Sequence, residues 1–216
     1  MEKVITVKGV GHLSVKPDLV VVRFKLETTS LDYGQCMKIA GERNEMVKTA
    51  VIKSGLSKDA LRTSDFDMGT ETRSVKTHDG GYKTVFDHWR CTHNLKVEFP
   101  LNIKLLTKVL HNVAESRADS EVDIDFTISD PGHVEKELLE SAAKNARTKA
   151  ETLCAAMGVK LGELVNIDYN WKEIDIYSDT RYSDCAAPTL LACTAPEIDP
   201  DDIKVSDNAT FIWRIE

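Results

Sequence analysis

The sequence lacks the features that would place the protein across a membrane or on nucleic acid. Its 216 residues contain no continuous apolar run of about 18 residues, so no transmembrane helix is expected. Lys and Arg form no run either, and the net charge is −7 with a pI near 5.4. Nucleic acid and anionic membranes need a basic surface, so neither is expected as a partner.

Cysteine is sparse, and its spacing indicates neither a metal site nor a disulfide framework. The five cysteines are Cys36, Cys91, Cys154, Cys185 and Cys193. None forms a CxxC pair, and the odd number is typical of a reducing compartment. The opening residues also lack a charged region followed by an apolar stretch. We therefore expect a cytoplasmic protein, or an exported one if a leader precedes the printed sequence.

Motifs of known catalytic chemistry are absent as well. The sequence contains no P-loop, no GxSxG and no HExxH pattern. Gly9 and Gly11 form a GxG, but it lies between two predicted strands and is followed by no third glycine. We interpret it as a β-turn rather than a phosphate loop. No cofactor is expected, and the protein is not predicted to be an enzyme.

What the sequence does contain is a regular alternation of strand and helix patterns. Helices are predicted at about 31–54, 102–115 and 133–157, and strands at 4–8, 12–29, 61–76, 82–99, about 121–128, 163–169 and 203–215. This order predicts an α+β fold with a largely antiparallel sheet, long hairpins and three main helices packed on one face. The chain is expected to be a single domain, 1–216, or two closely packed halves of about 1–100 and 101–216.

The predicted strand 82–99 carries the candidate metal or catalytic residues. Cys91 and His93 are two positions apart, so their side chains point the same way, and Asp87 lies on the same face. These three could hold a transition metal, or His93 could activate a thiolate. The face also carries the apolar residues Val85, Trp89, Leu95 and Val97. A buried core strand is the interpretation we favour, because buried cysteine usually behaves as a small apolar residue.

A second candidate is the row of carboxylates Glu121, Asp123 and Asp125 on one strand face. Alternate residues of a strand are spaced roughly 6.5–7 Å apart, so the three could bind a hard cation. Acidic residues on the solvent face of a sheet also discourage unwanted edge pairing. We favour this plain exposed face over a cation site.

The segment 171–202 shows no clear periodicity, which is uncommon for a stretch of this length within a domain. Residues 188–193, PTLLAC, are too apolar for ordinary disorder. One hypothesis is that Pro188, Leu190 and Leu191 dock on a neighbouring subunit or cover a sheet edge. A flexible loop is the alternative. Cys185 and Cys193 could also be oxidised as a pair.

Several motifs follow one another in order along nearly the whole chain. The opening ITVKGVGHLSVKPDLV contains a strand, Gly-x-Gly and Pro-Asp, and it resembles the start of the SIMPL-domain family. Asn44 and the following SGLSKDALRT, with Thr63, are similar to its first helix and turn, and Gly81-Tyr82 precedes a long strand. Three further stretches resemble its later elements: VDIDFTISD, AAMGVKLGELVNI and EIDPDDIKVSDNATFIWRI. Each motif is weak by itself, and their ordered combination carries the resemblance.

This resemblance implies little about chemistry and more about assembly. Family members are often periplasmic or surface-associated in bacteria, and some are linked to oxidative-stress tolerance. One bacterial member forms a ring-like, channel-shaped assembly, and an animal relative is an adaptor for a signalling kinase. No catalytic residues are established for the family. This sequence departs from it in having five cysteines and no visible leader.

Three functions follow as hypotheses. The first is a non-catalytic, self-associating homo-oligomer, linked by resemblance to stress protection or the envelope. The second is a metal-binding protein or enzyme that uses the face of Cys91 and His93. The third is a monomeric adaptor that binds a protein partner through a sheet edge.

Overall fold

The computed structural model describes residues 3–170, 174–184 and 198–216. Within these ranges the chain forms three helices and eight strands, which confirms the predicted α+β fold. The strands belong to two sheets rather than to one, and the helices are divided between those sheets. No helix in the described ranges is long and apolar enough to span a membrane.

The elements follow one another in an order close to the predicted one. They are β1 (Val4–Val15), β2 (Leu19–Ser30), α1 (Tyr33–Lys53), β3 (Leu61–Lys76), β4 (Tyr82–Pro100), α2 (Ile103–Ser116), β5 (Ser120–Thr127), α3 (Pro131–Met157), β6 (Leu161–Asp168), β7 (Tyr182–Asp184) and β8 (Ile203–Ile215). The helices begin at side-chain caps, as α3 does where Asp130 accepts a hydrogen bond from the backbone N–H of His133.

The first compact unit combines Met1–Asp18, Thr127–Asp179 and Pro200–Glu216. Its sheet has the order β1-β8-β6, and β8 pairs antiparallel with both neighbours. Alternate residues of β8 are buried, as the period-two pattern predicts. The long helix α3 packs on this sheet through a row of small residues: Ala142, Ala146 and Ala150.

The predicted turn at Gly9 and Gly11 is wrong, because β1 runs without interruption from Val4 to Val15. Both glycines lie where α3 crosses the strand. A β-carbon on Gly9 would lie 2.2 Å from the carbonyl oxygen of Ala142, and one on Gly11 would lie 2.2 Å from that of Leu138. Glycine is therefore required by the close approach of helix and strand backbones, and not by chain reversal.

The outer edge of β1 is covered by side chains of α3. The backbone N–H of Val10 donates to Oδ1 of Asn145 at 3.1 Å, and Nζ of Lys149 donates to the carbonyl of Lys8 at 3.2 Å. Covering an edge with a helix prevents its unpaired backbone groups from recruiting another strand. Two backbone groups of this edge are thus bound within the unit.

The second unit combines Leu19–Phe126 and Thr180–Asp199. Its sheet has the order β3-β4-β2-β5-β7, so β3 forms one edge. The helices α1 and α2 cover a core of large side chains, among them Phe24, Leu26, Leu95, Leu106 and Phe126. The predicted hairpin 61–76 and 82–99 is confirmed as β3 and β4, with Gly80 at φ +86° in the connecting turn.

Candidate functional site

His93 and Cys91 lie on the face of β4 that is turned toward α1, and each has its own neighbours. His93 is 9% exposed, and its Nε2 lies 2.9 Å from Oγ1 of Thr63. The ring of Phe66 meets the imidazole edge-on, with centroids 5.2 Å apart. Burial lowers the pKa of His93, so the neutral imidazole is favoured.

Asp87 is held by a different set of partners. Its carboxylate lies 3.1 Å from Nε of Arg73 and 2.9 Å from Nδ1 of His88. The three residues singled out on this strand, Cys91, His93 and Asp87, therefore share no common partner among these contacts. In the described ranges, no group of three or more His, Cys, Asp or Glu residues is arranged to hold a metal ion.

Cys91 instead belongs to a small sulfur-rich cluster, which we call the sulfur cluster. It contains the buried residues Cys36, Ala40 and Cys91, with Met68 and Trp89 packed against them. Cys36 and Cys91 are both free thiols with no solvent exposure. Burial raises the pKa of each thiol, and the proximity of Cys36 raises that of Cys91 further.

The position of Cys36 follows from the cap of α1. Asp32 caps the helix by accepting a hydrogen bond from the N–H of Gln35 at 2.8 Å, and the N–H of Cys36 donates to the carbonyl of Asp32 at 3.0 Å. Cys36 thus lies in the first turn. Its Sγ lies 3.4 Å from the carbonyl oxygen of Thr28 and 3.7 Å from that of Trp89.

The carboxylates on β5 are matched by cations on β2. Arg23 forms an ion pair with Asp125, and Nζ of Lys25 lies 3.1 Å from Glu121. The hydrogen bond to Glu121 raises the pKa of Lys25. Two of the three predicted cation ligands are thus already engaged, and Asp123 is exposed. The row forms cross-strand pairs of the kind that stabilise a sheet.

The hairpin of β3 and β4 extends beyond its neighbour strand. Pairing between β2 and β4 ends at Trp89, whereas β3 and β4 stay paired as far as Lys76 and Tyr82. The outer part, 71–76 and 82–88, is called the ribbon below. It is a two-stranded structure whose exposed large side chains are Val75, Tyr82 and Phe86. Such a two-stranded piece is marginally stable by itself.

A groove between α1 and α2 has a volume of about 710 Å³. Glu42, Glu45 and Glu115 line it, and Gly41 leaves it open. Its buried amide, that of Asn112, donates to Oγ of Ser54 at 2.8 Å, and that hydroxyl donates to the carbonyl of Ala50 at 2.8 Å. The buried polar groups are therefore satisfied internally, and they do not converge on a ligand.

The predicted docking residues Pro188, Leu190 and Leu191 lie outside the described residues, as do Cys185 and Cys193. Sequence reasoning missed the sulfur cluster, since Cys36, Met68 and Cys91 are far apart in the chain. Rules that recognise metal ligands by their spacing apply to residues close together in the chain, so they do not detect this set. Only the pairing of β3 with β4 and the packing of α1 bring them together.

The fold and these clusters define an α+β protein built from two helix-covered antiparallel sheets. Comparison with known protein families matches residues 5–213 to SIMPL, described as a protein of unknown function (DUF541). The chain therefore belongs to the SIMPL family, which confirms the resemblance seen in the sequence. A search of curated proteins found no match.

Proposed function

We propose that this protein is a non-catalytic protein that associates with further copies of itself through the open edge of β3. The observation that carries the proposal is the length and exposure of this edge. The strand has 16 residues, all of them exposed or half-buried, and within the described residues it is the outermost strand of its sheet. A long, open edge is a template for another strand.

The contrast with β1 supports a role for the open edge. At β1, Asn145 and Lys149 of α3 occupy backbone groups of the edge strand. In the second unit, helices α1 and α2 pack around the core, while most residues of β3 stay exposed. Pairing with a second chain would complete the ribbon and bury its exposed side chains, including Phe86.

The charges along β3 favour a second copy as the partner. Asp65 and Asp67 precede Gly69, whereas Arg73 and Lys76 follow it. Antiparallel pairing of two copies centred on Thr70 places Asp67 of each strand opposite Arg73 of the other, and no two like charges of the strands then face each other. Arg73 also lies 3.1 Å from Asp87, but such an exposed pair is worth at most about 1 kcal/mol and can rearrange.

A non-catalytic role is supported by the partners of the polar candidates. His93 is bound to Thr63, Asp87 to Arg73, and the β5 carboxylates Glu121 and Asp125 to cations of β2. The buried free thiols Cys36, Cys91 and Cys154 favour a reducing compartment such as the bacterial cytoplasm. A link to oxidative-stress protection rests on the family resemblance alone.

The first experiment is the absolute mass of the full chain by size-exclusion chromatography with light scattering, at two concentrations. We expect a mass of at least two chains of 24.1 kDa each. The double substitution D65K/D67K should reduce that mass to one chain, because the charge at position 67 then repels Arg73 of the second copy. Adding R73E/K76E restores opposite charges and should restore the assembly.

The matched control is E140K/E151K, which changes the net charge by the same amount on the exposed side of α3. It should leave the mass unchanged. A monomer at both concentrations for the unmodified protein would overturn self-association and favour an adaptor or metal-binding role. Retention of the assembly in D65K/D67K would show that another surface carries it.

A further inference from the structure

We propose that the sulfur cluster is a binding site for a soft monovalent metal ion, Cu(I), ligated by Cys36, Met68 and Cys91. This inference goes beyond self-association and does not depend on it. Thr28 of β2 is the register partner of Cys91, and Cys91 is the register partner of Met68 on β3.

Register partners in antiparallel strands place their side chains on the same face, with β-carbons about 5 Å apart. Thr28, Cys91 and Met68 therefore form one row over three strands. Cys36 packs onto this row from the first turn of α1, in contact with the cluster that contains Cys91. Two thiols and one thioether, carried by residues of three separate elements, thus belong to one packed cluster.

The ligand types select the metal. Thiolate and thioether sulfurs are soft ligands, and together they favour Cu(I) over harder divalent ions. Structural zinc sites need four nitrogen, sulfur or carboxylate ligands in a tetrahedron. The cluster offers two thiols and one thioether, and no third His, Cys, Asp or Glu of the described residues completes a metal site with the two cysteines. A two- or three-coordinate sulfur site suits Cu(I) better than Zn(II).

A buried hydroxyl points to the same conclusion. Thr28 is 3% exposed, and its Oγ1 has no hydrogen-bond partner in the structure. Buried polar groups without a partner are rare in folded proteins. A metal-bound thiolate on Cys91 is an acceptor that a neutral thiol scarcely provides, so Thr28 could donate to it. Hydrogen bonds of this kind orient and support metal ligands.

Charge and surroundings are also compatible with a bound ion. Binding of Cu(I) by two thiolates releases two thiol protons to solvent and leaves one net negative charge. The first turn of α1, where Cys36 lies, carries the positive end of the helix dipole. Trp89 packs on the cluster, with the ring of Tyr33 edge-on at 5.2 Å, so an apolar shell limits access of water.

The test is anaerobic titration of the untagged full chain with Cu(I) against a chromophoric Cu(I) chelator. We expect one equivalent that is lost in C36S and in C91S. Cys154→Ser is the matched control, because Cys154 is an equally buried free cysteine on α3 of the other unit. It should retain the equivalent. Cys185 and Cys193 are unchanged in all these variants, so any binding by them is common to all.

Two further variants keep both thiols and so separate binding from folding. Met68→Leu removes only the thioether, and Thr28→Val removes only the unpartnered hydroxyl. Each should weaken Cu(I) affinity by roughly tenfold or more, a loss typical for supporting groups of metal sites. Thr28→Val should not lower the thermal stability of the metal-free protein. A purely structural role for the hydroxyl predicts that this substitution lowers it.

Three results would overturn the proposal. The first is failure of the unmodified protein to retain Cu(I) against the chelator. The second is an unchanged number of equivalents in folded C36S and C91S or, if those do not fold, unchanged affinity in Met68→Leu and Thr28→Val. The third is Zn(II) bound through Cys36 and Cys91 that excess Cu(I) does not displace.

Discussion

The two units of the molecule pack helices on antiparallel sheets in different ways. In the first unit, α3 presents a row of alanines to a strand that carries Gly9 and Gly11, so the two backbones approach closely. In the second unit, α1 and α2 lie on a core of large side chains such as Phe24 and Leu106. The first unit should therefore be destabilised when a side chain is added at Gly9 or Gly11, and the second when a large core side chain is removed.

The largest expected effect is that of removing a large core side chain from the second unit. Phe24→Ala should lower the free energy of unfolding by about 3–5 kcal/mol, because the ring is fully buried and its removal leaves a cavity. Urea denaturation measures the loss, and hydrogen exchange should locate it in β2, β4 and the helices of that unit. Ile52→Ala is the control, since Ile52 on α1 is 45% exposed and its truncation should change stability by less than about 1 kcal/mol.

In the first unit a gain of one methyl group should be harmful. Gly11→Ala places a β-carbon 2.2 Å from the carbonyl oxygen of Leu138, so strand and helix must separate. We expect a loss near the upper end of about 1–3 kcal/mol, the range for overpacked sites. Faster exchange in peptides of β1 and α3 would confirm it. Unchanged stability would show that close backbone approach is not what holds α3 in place.

A smaller effect is expected where a polar group completes the core of the first unit. Tyr169 donates its hydroxyl to Oδ2 of Asp207 at 3.0 Å, and Asp207 is 2% exposed. Tyr169→Phe removes this donor and should cost about 1–2 kcal/mol, although Asp207 still accepts from the N–H of Asn208. Tyr82→Phe, at a residue 76% exposed, should have no effect.

The same contact predicts a dependence on alkaline pH. Burial and, next, the hydrogen bond to Asp207 raise the pKa of Tyr169. Between the ordinary tyrosine pKa of about 10 and this raised value, the folded protein holds the proton that the unfolded chain has lost. Stability from this group is thus complete below about pH 10 and declines as pH rises through the folded value. Urea midpoints across this pH range should therefore fall less steeply in Tyr169→Phe than in the unmodified protein.

The smallest effect is a stabilisation, and it is the counterpart of Gly11→Ala. Gly41 lies inside α1, and a β-carbon there would meet no heavy atom within 4 Å. Gly41→Ala should raise the free energy of unfolding by about 0.5–1 kcal/mol, because alanine loses less conformational freedom in a helix. A loss of stability in Gly41→Ala would contradict the interpretation that Gly41, unlike Gly11, has room for a side chain.

Hydrophobic periodicity was enough to locate most of the secondary structure. The alternation in 203–215 and the turn residues between 76 and 82 predicted β8 and the β3–β4 hairpin with the observed bounds or within one residue. The interruption predicted at Gly9 and Gly11 was wrong because glycine in a strand pattern has two meanings, a turn or a close backbone contact. Sequence alone does not distinguish them, since the contacting residues Leu138 and Ala142 lie far along the chain.

The candidate sites were less accessible to sequence reasoning. The strand pattern identified the face of Cys91 and His93, but not that Cys36 and Met68 would meet Cys91 there. Likewise, the sequence showed the acidic row on β5. Its cations Arg23 and Lys25 lie on β2, and only the strand order of the sheet places β2 beside β5. The topology of the whole sheet decides which strands pair, and the local sequence pattern does not reveal this topology.

The sequence by itself thus determined the α+β class, the family, and the bounds of most helices and strands, because periodicity and turn chemistry are local properties. Tertiary structure alone decided that the strands form two sheets, that α3 binds backbone groups at the edge of β1 while no described strand pairs with the outer edge of β3, and that Cys36, Met68 and Cys91 pack in one cluster. These features depend on contacts between residues distant in the chain, whose choice is made by packing the whole unit.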